Sequence, residues 1–342
     1  MSINTRRALA AATALLGVGA LALTACSAPT EPAASPSSGA TAEGSGVDPY
    51  APEQSEVTAL VWRQTSTVPF FIAQSEAIAD EYGLTLTPEY VENSPAAVSG
   101  IVGGSGNFGQ ASLWAVFSAI NEGIDLRIVG EGFRHVPDSM FMETLPGSGI
   151  ESIEDLAGKK VGVTGLNAGH DLSIKNWFTE NGLDPNSIEF VSLGYGEMGQ
   201  ALQTGAIDAG AFTGAALAQA RSELGSVDVF DFTEILDNFP AVSYIVDGAW
   251  ADANPNTVAA FQCSVVVRGA ELAAEDDDLY REALKAGLGW DDAAVDATTK
   301  VDYVPLNDPE AQRVVPDLMF ANGLLPEEID IEDYLIPIPD NC

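Results

Sequence analysis

Positive charge is what this chain has least of. Among 342 residues there are 14 Lys and Arg against 50 Asp and Glu, a formal charge of −36. Contact with phosphate needs clustered Lys and Arg, so nucleic acid is excluded as a partner. Histidine is scarcer still, with His135 and His170 the only two. Cysteine is limited to Cys26, Cys263 and Cys342, and no Cys/His spacing suits structural zinc, so no metal is expected. No G-x-S-x-G turn presents a nucleophile. His170 precedes Asp171, but adjacent residues seldom orient one another, and carboxylates are too frequent throughout to single out a catalytic pair. An enzyme is therefore not expected, nor any cofactor. What is abundant is apolar content: 46% of residues are hydrophobic and 8% aromatic, which excludes a disordered chain. The length allows roughly two domains of about 150 residues.

The first residues read as an address. Arg6 and Arg7 precede an apolar run, Ala8–Leu23, too short for a comfortable membrane span. It ends in Leu23-Thr24-Ala25-Cys26, which resembles a bacterial lipobox. Residues 1–25 are expected to be a lipoprotein signal peptide and Cys26 a lipidated (palmitate-bearing) N-terminus; the alternative is an ordinary signal peptide. Residues 26–55 are rich in Ala, Pro, Ser, Thr and Gly and read as a disordered tether. The folded body is then expected outside the cytoplasm, held to the membrane by lipid alone. That compartment is oxidising, so Cys263 and Cys342 are candidates for one disulfide. A buried Cys263 with a free Cys342 is the alternative.

Apolar runs bounded by glycine predict strands at 58–62, 84–91, 107–112 and 126–130, with helices at 70–82, 95–102 and 113–122 between them. A second series places strands at 160–163, 188–192 and 208–212 and helices at 171–180, 197–204 and 215–224. Strand 242–247 and helices 256–272, 279–287 and 309–321 finish the chain. The alternation argues parallel sheets flanked by helices. Gly104-Ser105-Gly106-Asn107-Phe108-Gly109 spells G-x-G-x-x-G, but it precedes a strand instead of following one, which argues against a dinucleotide.

Asp155-Leu156-Ala157-Gly158-Lys159-Lys160-Val161-Gly162-Val163 resembles the D-L-x-G-K-x-V-G-V signature of the nitrate/sulfonate/taurine and thiamine-pyrimidine-precursor group of ABC-transporter solute-binding lipoproteins. Ala201-Leu202-Gln203-Thr204-Gly205-Ala206-Ile207-Asp208-Ala209 is similar to the A-L-x-x-G-x-V-D-A of the same group. The resemblance implies an α/β, two-lobed, periplasmic-binding-protein-like (type II) fold, each lobe a mostly parallel sheet. Lobe one would hold residues 56–139 and 247–342, and lobe two residues 140–246. It implies a monomer that captures a small solute and delivers it to an ABC permease and its ATPase.

Ligands of open α/β sheets bind outside the carboxyl ends of the strands. The loops there carry the candidate ligand-binding residues Gln64, Thr65, Ser66, Thr67, Phe70, Gln110, Ser112 and Trp114 in lobe one. Thr164, Asn167, His170, Tyr195 and Thr213 are the candidates in lobe two. Three of these loops run into helix N-termini, whose unpaired N–H groups suit an oxyanion. Gln64-Thr65-Ser66-Thr67 looks like the first loop of the sulfonate type, and an organosulfonate-like anion is the expected solute. A heteroaromatic nutrient such as a thiamine pyrimidine precursor is the alternative, and an extracytoplasmic enzyme on the same fold is another. Arg63 and Arg134 are the arginines expected near the cleft.

Overall fold

A computed structural model describes residues 47–236, 240–296 and 298–342. The expected signal peptide, residues 1–25, and Cys26 lie outside the described residues. Ten strands are laid down in chain order: β1 (Glu56–Val61), β2 (Thr85–Tyr90), β3 (Phe108–Ala111), β4 (Leu126–Arg134), β5 (Met140–Thr144), β6 (Lys160–Val163), β7 (Glu189–Ser192), β8 (Ala209–Thr213), β9 (Val227–Asp231) and β10 (Pro240–Asp247). They form two five-stranded sheets of one plan, ordered β2-β1-β3-β10-β4 and β7-β6-β8-β5-β9. In each sheet the first three strands are parallel and the fourth runs against both its neighbours.

The reversed strands, β5 and β10, are those that follow a crossing between sheets. The chain leaves the first sheet at Arg134 and enters the second at Met140; it leaves the second at Asp231 and re-enters the first at Pro240. A strand arriving from the other lobe enters at the edge nearest that lobe. It must then run against the strands that end there. The reversal therefore means that the carboxyl edges of the two sheets face each other. The chain has rejoined the first sheet by Pro240, ahead of the expected change of lobe after residue 246.

Both faces of both sheets are covered, and the period-2 alternation assigns side chains to them. Val57, Ala59 and Val61 of β1 join one core cluster and Leu60 joins another; Val242, Tyr244 and Val246 of β10 likewise part from Ile245. In the second sheet Met140, Met142, Ala209 and Ala211 face one cluster, Phe141 and Phe212 the other. The helix expected over 70–82 is interrupted: it runs Val68–Ser75 and resumes at Ile78–Glu81, because Ala77 takes a left-handed conformation at φ +56. The helix expected over 256–272 runs from Pro255 to Glu275 with π-helical turns at Gln262–Gly269. Strand β9 was not expected. Cys263 and Cys342 are bridged, tying the last residue to the middle of that helix.

The tether expected through residue 55 gives way earlier. Tyr50 stacks on Tyr82 with centroids 4.9 Å apart. The Glu53 carboxylate accepts from Asn256 N at 3.1 Å and Thr257 N at 2.8 Å. These are free N–H groups of a helix start, which a carboxylate satisfies well.

Candidate binding cleft

In lobe one the loop after β1 is built around Gln110, the third residue of β3, which has no exposed surface. Its Oε1 accepts from Trp62 N at 3.2 Å and lies 3.0 Å from Thr67 Oγ1 and 3.4 Å from Ser66 Oγ. Its Nε2 donates to Ser66 O at 2.8 Å. Thr67 Oγ1 donates to Trp62 O at 2.6 Å. Tyr303 OH, from far along the chain, donates to Thr65 O at 2.6 Å. Ser66, Thr67 and Phe70 are fully buried with Gln110. These four candidates are brought together, and their polar atoms are engaged within the protein, where they shape the loop from below. Gln64 is exposed and Thr65 half-buried, so the open surface of this loop is Trp62 to Thr65. Ser112 is half-buried; its N–H donates to Ser94 Oγ at 3.0 Å, and the two hydroxyl oxygens are 3.2 Å apart.

In lobe two the motif strand β6 is entered through Gly158, whose φ of +75 favours glycine, and it ends at an exposed Thr164. Asp171 is fully buried in the first turn of helix Gly169–Glu180. It accepts from Asn167 N at 3.0 Å and Ala168 N at 2.8 Å, and Lys175 Nζ lies 2.9 Å from it. Asp171 thus caps the two residues ahead of its own helix and places a buried carboxylate at that helix start. The Asn167 side chain is exposed, on a backbone at φ +56. The N–H of Gly194, before helix Tyr195–Thr204, is likewise met by Glu197 at 3.4 Å. Tyr195 keeps 36% of its surface accessible, yet burial pushes its phenol up to about 12, with the Thr164 hydroxyl pulling the other way.

The base of the cleft is made by the two crossings. Asp138 N donates to Asp231 Oδ2 at 2.6 Å, fastening one crossing to the other, and Thr213 Oγ1 donates to Ser139 O at 2.8 Å. Both histidines of the chain are here. His135 Nδ1 is 3.3 Å from Ser139 Oγ; His170 Nδ1 is 3.2 Å from Thr164 Oγ1, and its Nε2 is 3.1 Å from Met140 S. Burial lowers both imidazoles to about 4. Arg134 ends β4 but is buried in a fork with Glu131, Nε–Oε2 2.6 Å and Nη2–Oε1 2.8 Å, with Asp308 3.3 Å away. Burial alone would depress its guanidinium, but Glu131 outweighs that and raises it. Arg63 is exposed and lies over the Tyr90 ring at 3.8 Å.

The lobes touch through Trp114, on helix Leu113–Asn121 after β3, which stands against Gly169 of lobe two. Leu172 of lobe two shares a core cluster with Trp114, Val315 and Met319 of lobe one. Sequence reasoning missed Tyr303 here, because it lies in an irregular stretch far from the other candidates. Among the described residues no group of three or more His, Cys, Asp or Glu is placed to hold a metal ion, and no helix is long and apolar enough to cross a membrane.

Solved structures share this architecture. The periplasmic aliphatic sulphonate binding protein SsuA from Escherichia coli superposes with a TM-score of 0.68 at 19% identity, over 83% of this chain and 93% of that one. The alkanesulfonate-binding protein SsuA from Xanthomonas axonopodis pv. citri, bound to MOPS, gives 0.65 at 18% identity over 84% and 99%. The periplasmic nitrate-binding protein NrtA from Synechocystis PCC 6803 gives 0.64 at 12% identity over 83% and 87%. No curated protein matches in sequence. The profile of the family described as NMT1/THI5 like matches residues 64–278, more than half of the chain. The chain belongs to the NMT1/THI5-like family.

Proposed function

We propose that this protein is the extracytoplasmic solute-binding component of an ABC importer, capturing a small solute between its lobes for a membrane permease. The observation that carries this reading is the paired topology. Two sheets of one plan face each other by their carboxyl edges, and loops of both meet where Trp114 stands against Gly169. The structural neighbours named for sulfonate and nitrate binding support the same reading. The solute belongs with those small anions or with a thiamine pyrimidine precursor. The protein acts as a monomer without chemistry of its own.

Cys26 fastens it to the outer face of the membrane. Cys26→Ala should release the folded body into the medium, and membrane retention of that variant would remove the anchor from this proposal. For the function itself, mass spectrometry of what denaturation releases from freshly purified protein, followed by calorimetric titration with that solute, should show saturable one-to-one binding without turnover. Turnover would point to an enzyme on the same fold.

A further inference from the structure

The distribution of cations identifies the polarity of the solute. Nine of the twelve described Lys and Arg stand in ion pairs with carboxylates. The other three are Arg63, Lys159 and Arg313. Lys159 precedes β6, at the amino edge of its sheet, and Arg313 lies on helix Pro309–Ala321. Among the described residues, Arg63 is therefore the one cation free of a carboxylate at a carboxyl edge. It sits two residues beyond β1, in the open part of the first loop.

Its guanidinium is held in place. Its Cζ lies over the Tyr90 ring, 3.8 Å from the centroid, and Tyr90 is fixed in turn by donating to Gly287 O at 3.0 Å. The contact with the ring leaves N–H donors of the guanidinium for an acid group with two acceptor oxygens. The neighbouring residue adds a second donor in want of a partner. The indole Nε1 of Trp62 is buried and has no acceptor among the described residues, a costly arrangement unless something supplies one. Trp62 packs on the same face of the first sheet as helix Asp277–Leu288, to which Tyr90 is bonded. In lobe two, Asp171 and Glu197 place carboxylates at the starts of their helices, which disfavours an anion there.

We infer that Arg63, backed by Tyr90 and flanked by the Trp62 indole, is the anion anchor of the cleft, and that the solute carries a sulfonate- or carboxylate-type acidic group. This inference rests on the solute-binding reading above and narrows it.

The test is calorimetric titration with ethanesulfonate, MOPS and nitrate, and with an uncharged aminopyrimidine. It uses the parent protein, Arg63→Gln, Arg63→Lys and Tyr90→Leu, each first shown to keep the parent's thermal unfolding. At least one anionic probe should bind the parent. Arg63→Gln should weaken it by roughly tenfold or more, the loss expected for hydrogen bonds to a charged group. Arg63→Lys should restore part of that loss and Tyr90→Leu should fall between. Anion binding untouched by Arg63→Gln would overturn the anchor. So would a parent that takes only the uncharged pyrimidine, although solute capture would then stand. Absence of any saturable solute, including material released from the purified protein, would overturn both.

Discussion

Trp114 and Gly169 belong to different lobes, and a methyl group placed on Gly169 would come 3.1 Å from the Trp114 indole nitrogen. Glycine leaves room there for the two lobes to meet closely. A single methyl there would press Trp114 back by a few tenths of an ångström, and a β-branched side chain by more. Overpacking at such a contact costs about 1–3 kcal/mol. Here the cost falls on the closed arrangement alone, since parted lobes relieve it. Gly169→Val should therefore leave stability nearly unchanged and weaken solute binding about 5- to 150-fold. Small-angle scattering at saturating solute should show a larger radius than for the parent. Equal affinity and radius would mean that the contact does not set closure.

Gln110 organises the first loop from beneath and touches no open surface. Gln110→Leu keeps much of the volume but strands Trp62 N and leaves Ser66 O with only the Tyr244 hydroxyl at 3.4 Å. A buried polar group left without a partner costs about 1–3 kcal/mol. Urea unfolding should show a loss of that size or somewhat more. Solute binding should weaken as well, because Trp62 to Thr65 lose their floor. A stable variant that binds normally would show that Tyr303 and Tyr244 alone hold the loop.

The elements themselves were largely legible from the sequence. β1, β6 and β8 are short apolar runs entered or left through turn residues, and a period of two needs no tertiary information. Strand direction was not legible, since alternation is the same read either way. The reversal of β5 and β10 follows from where the chain crosses. β9 was hidden because its Asp228 and Asp231 look like loop residues; one is matched by Arg221 and the other by the backbone of the opposite crossing. The break at Ala77 carries no glycine or proline to announce it. In the candidate site, sequence chose polar residues at strand ends. It could not tell Gln64, open to solvent, from Ser66 and Thr67, whose hydroxyls are enclosed by a partner 44 or 43 residues away.

The two histidines set a pH dependence with a definite sign. Burial lowers His135 and His170 to about 4, so the folded chain resists taking up protons that the unfolded chain binds near its ordinary value of about 6.5. Between those values the unfolded state carries more protons, and stability falls as pH is lowered from about 6.5 toward 4. The two rings lie at the base of the cleft, so the same protonation should loosen the crossings. Urea unfolding at pH 7 and pH 5 should show the decline, and the His135→Gln, His170→Gln double variant should flatten it. A decline of equal size in the double variant would assign the effect to carboxylates instead.

The disulfide bears on the stability of lobe one. Cys263 is fully buried in the middle of the long helix that runs from Pro255, and Cys342 lies 79 residues further on. Inside the closed loop are helices Asp277–Leu288 and Pro309–Ala321 and Tyr303, whose hydroxyl supports the first cleft loop. The segment before Cys342 is tied elsewhere as well, with Ile331 buried and Tyr334 against Phe117. Leu335 bridges to Ile128, and Ile336 O accepts from Gln262 Nε2 at 2.9 Å and Asn307 Nδ2 at 3.0 Å. Closing a loop of this length restricts the unfolded chain by an amount worth about 4 kcal/mol in the chain-entropy model, and removing native bridges costs about 2–5 kcal/mol. Cys342→Ser should lose an amount in that range, since its serine is half-exposed and strands nothing buried except the Cys263 thiol, itself a small apolar group. Dithiothreitol should lower the thermal midpoint of the parent to that of the variant and leave the variant unmoved. A parent indifferent to dithiothreitol under unfolding conditions would show that the bridge does not restrict the chain.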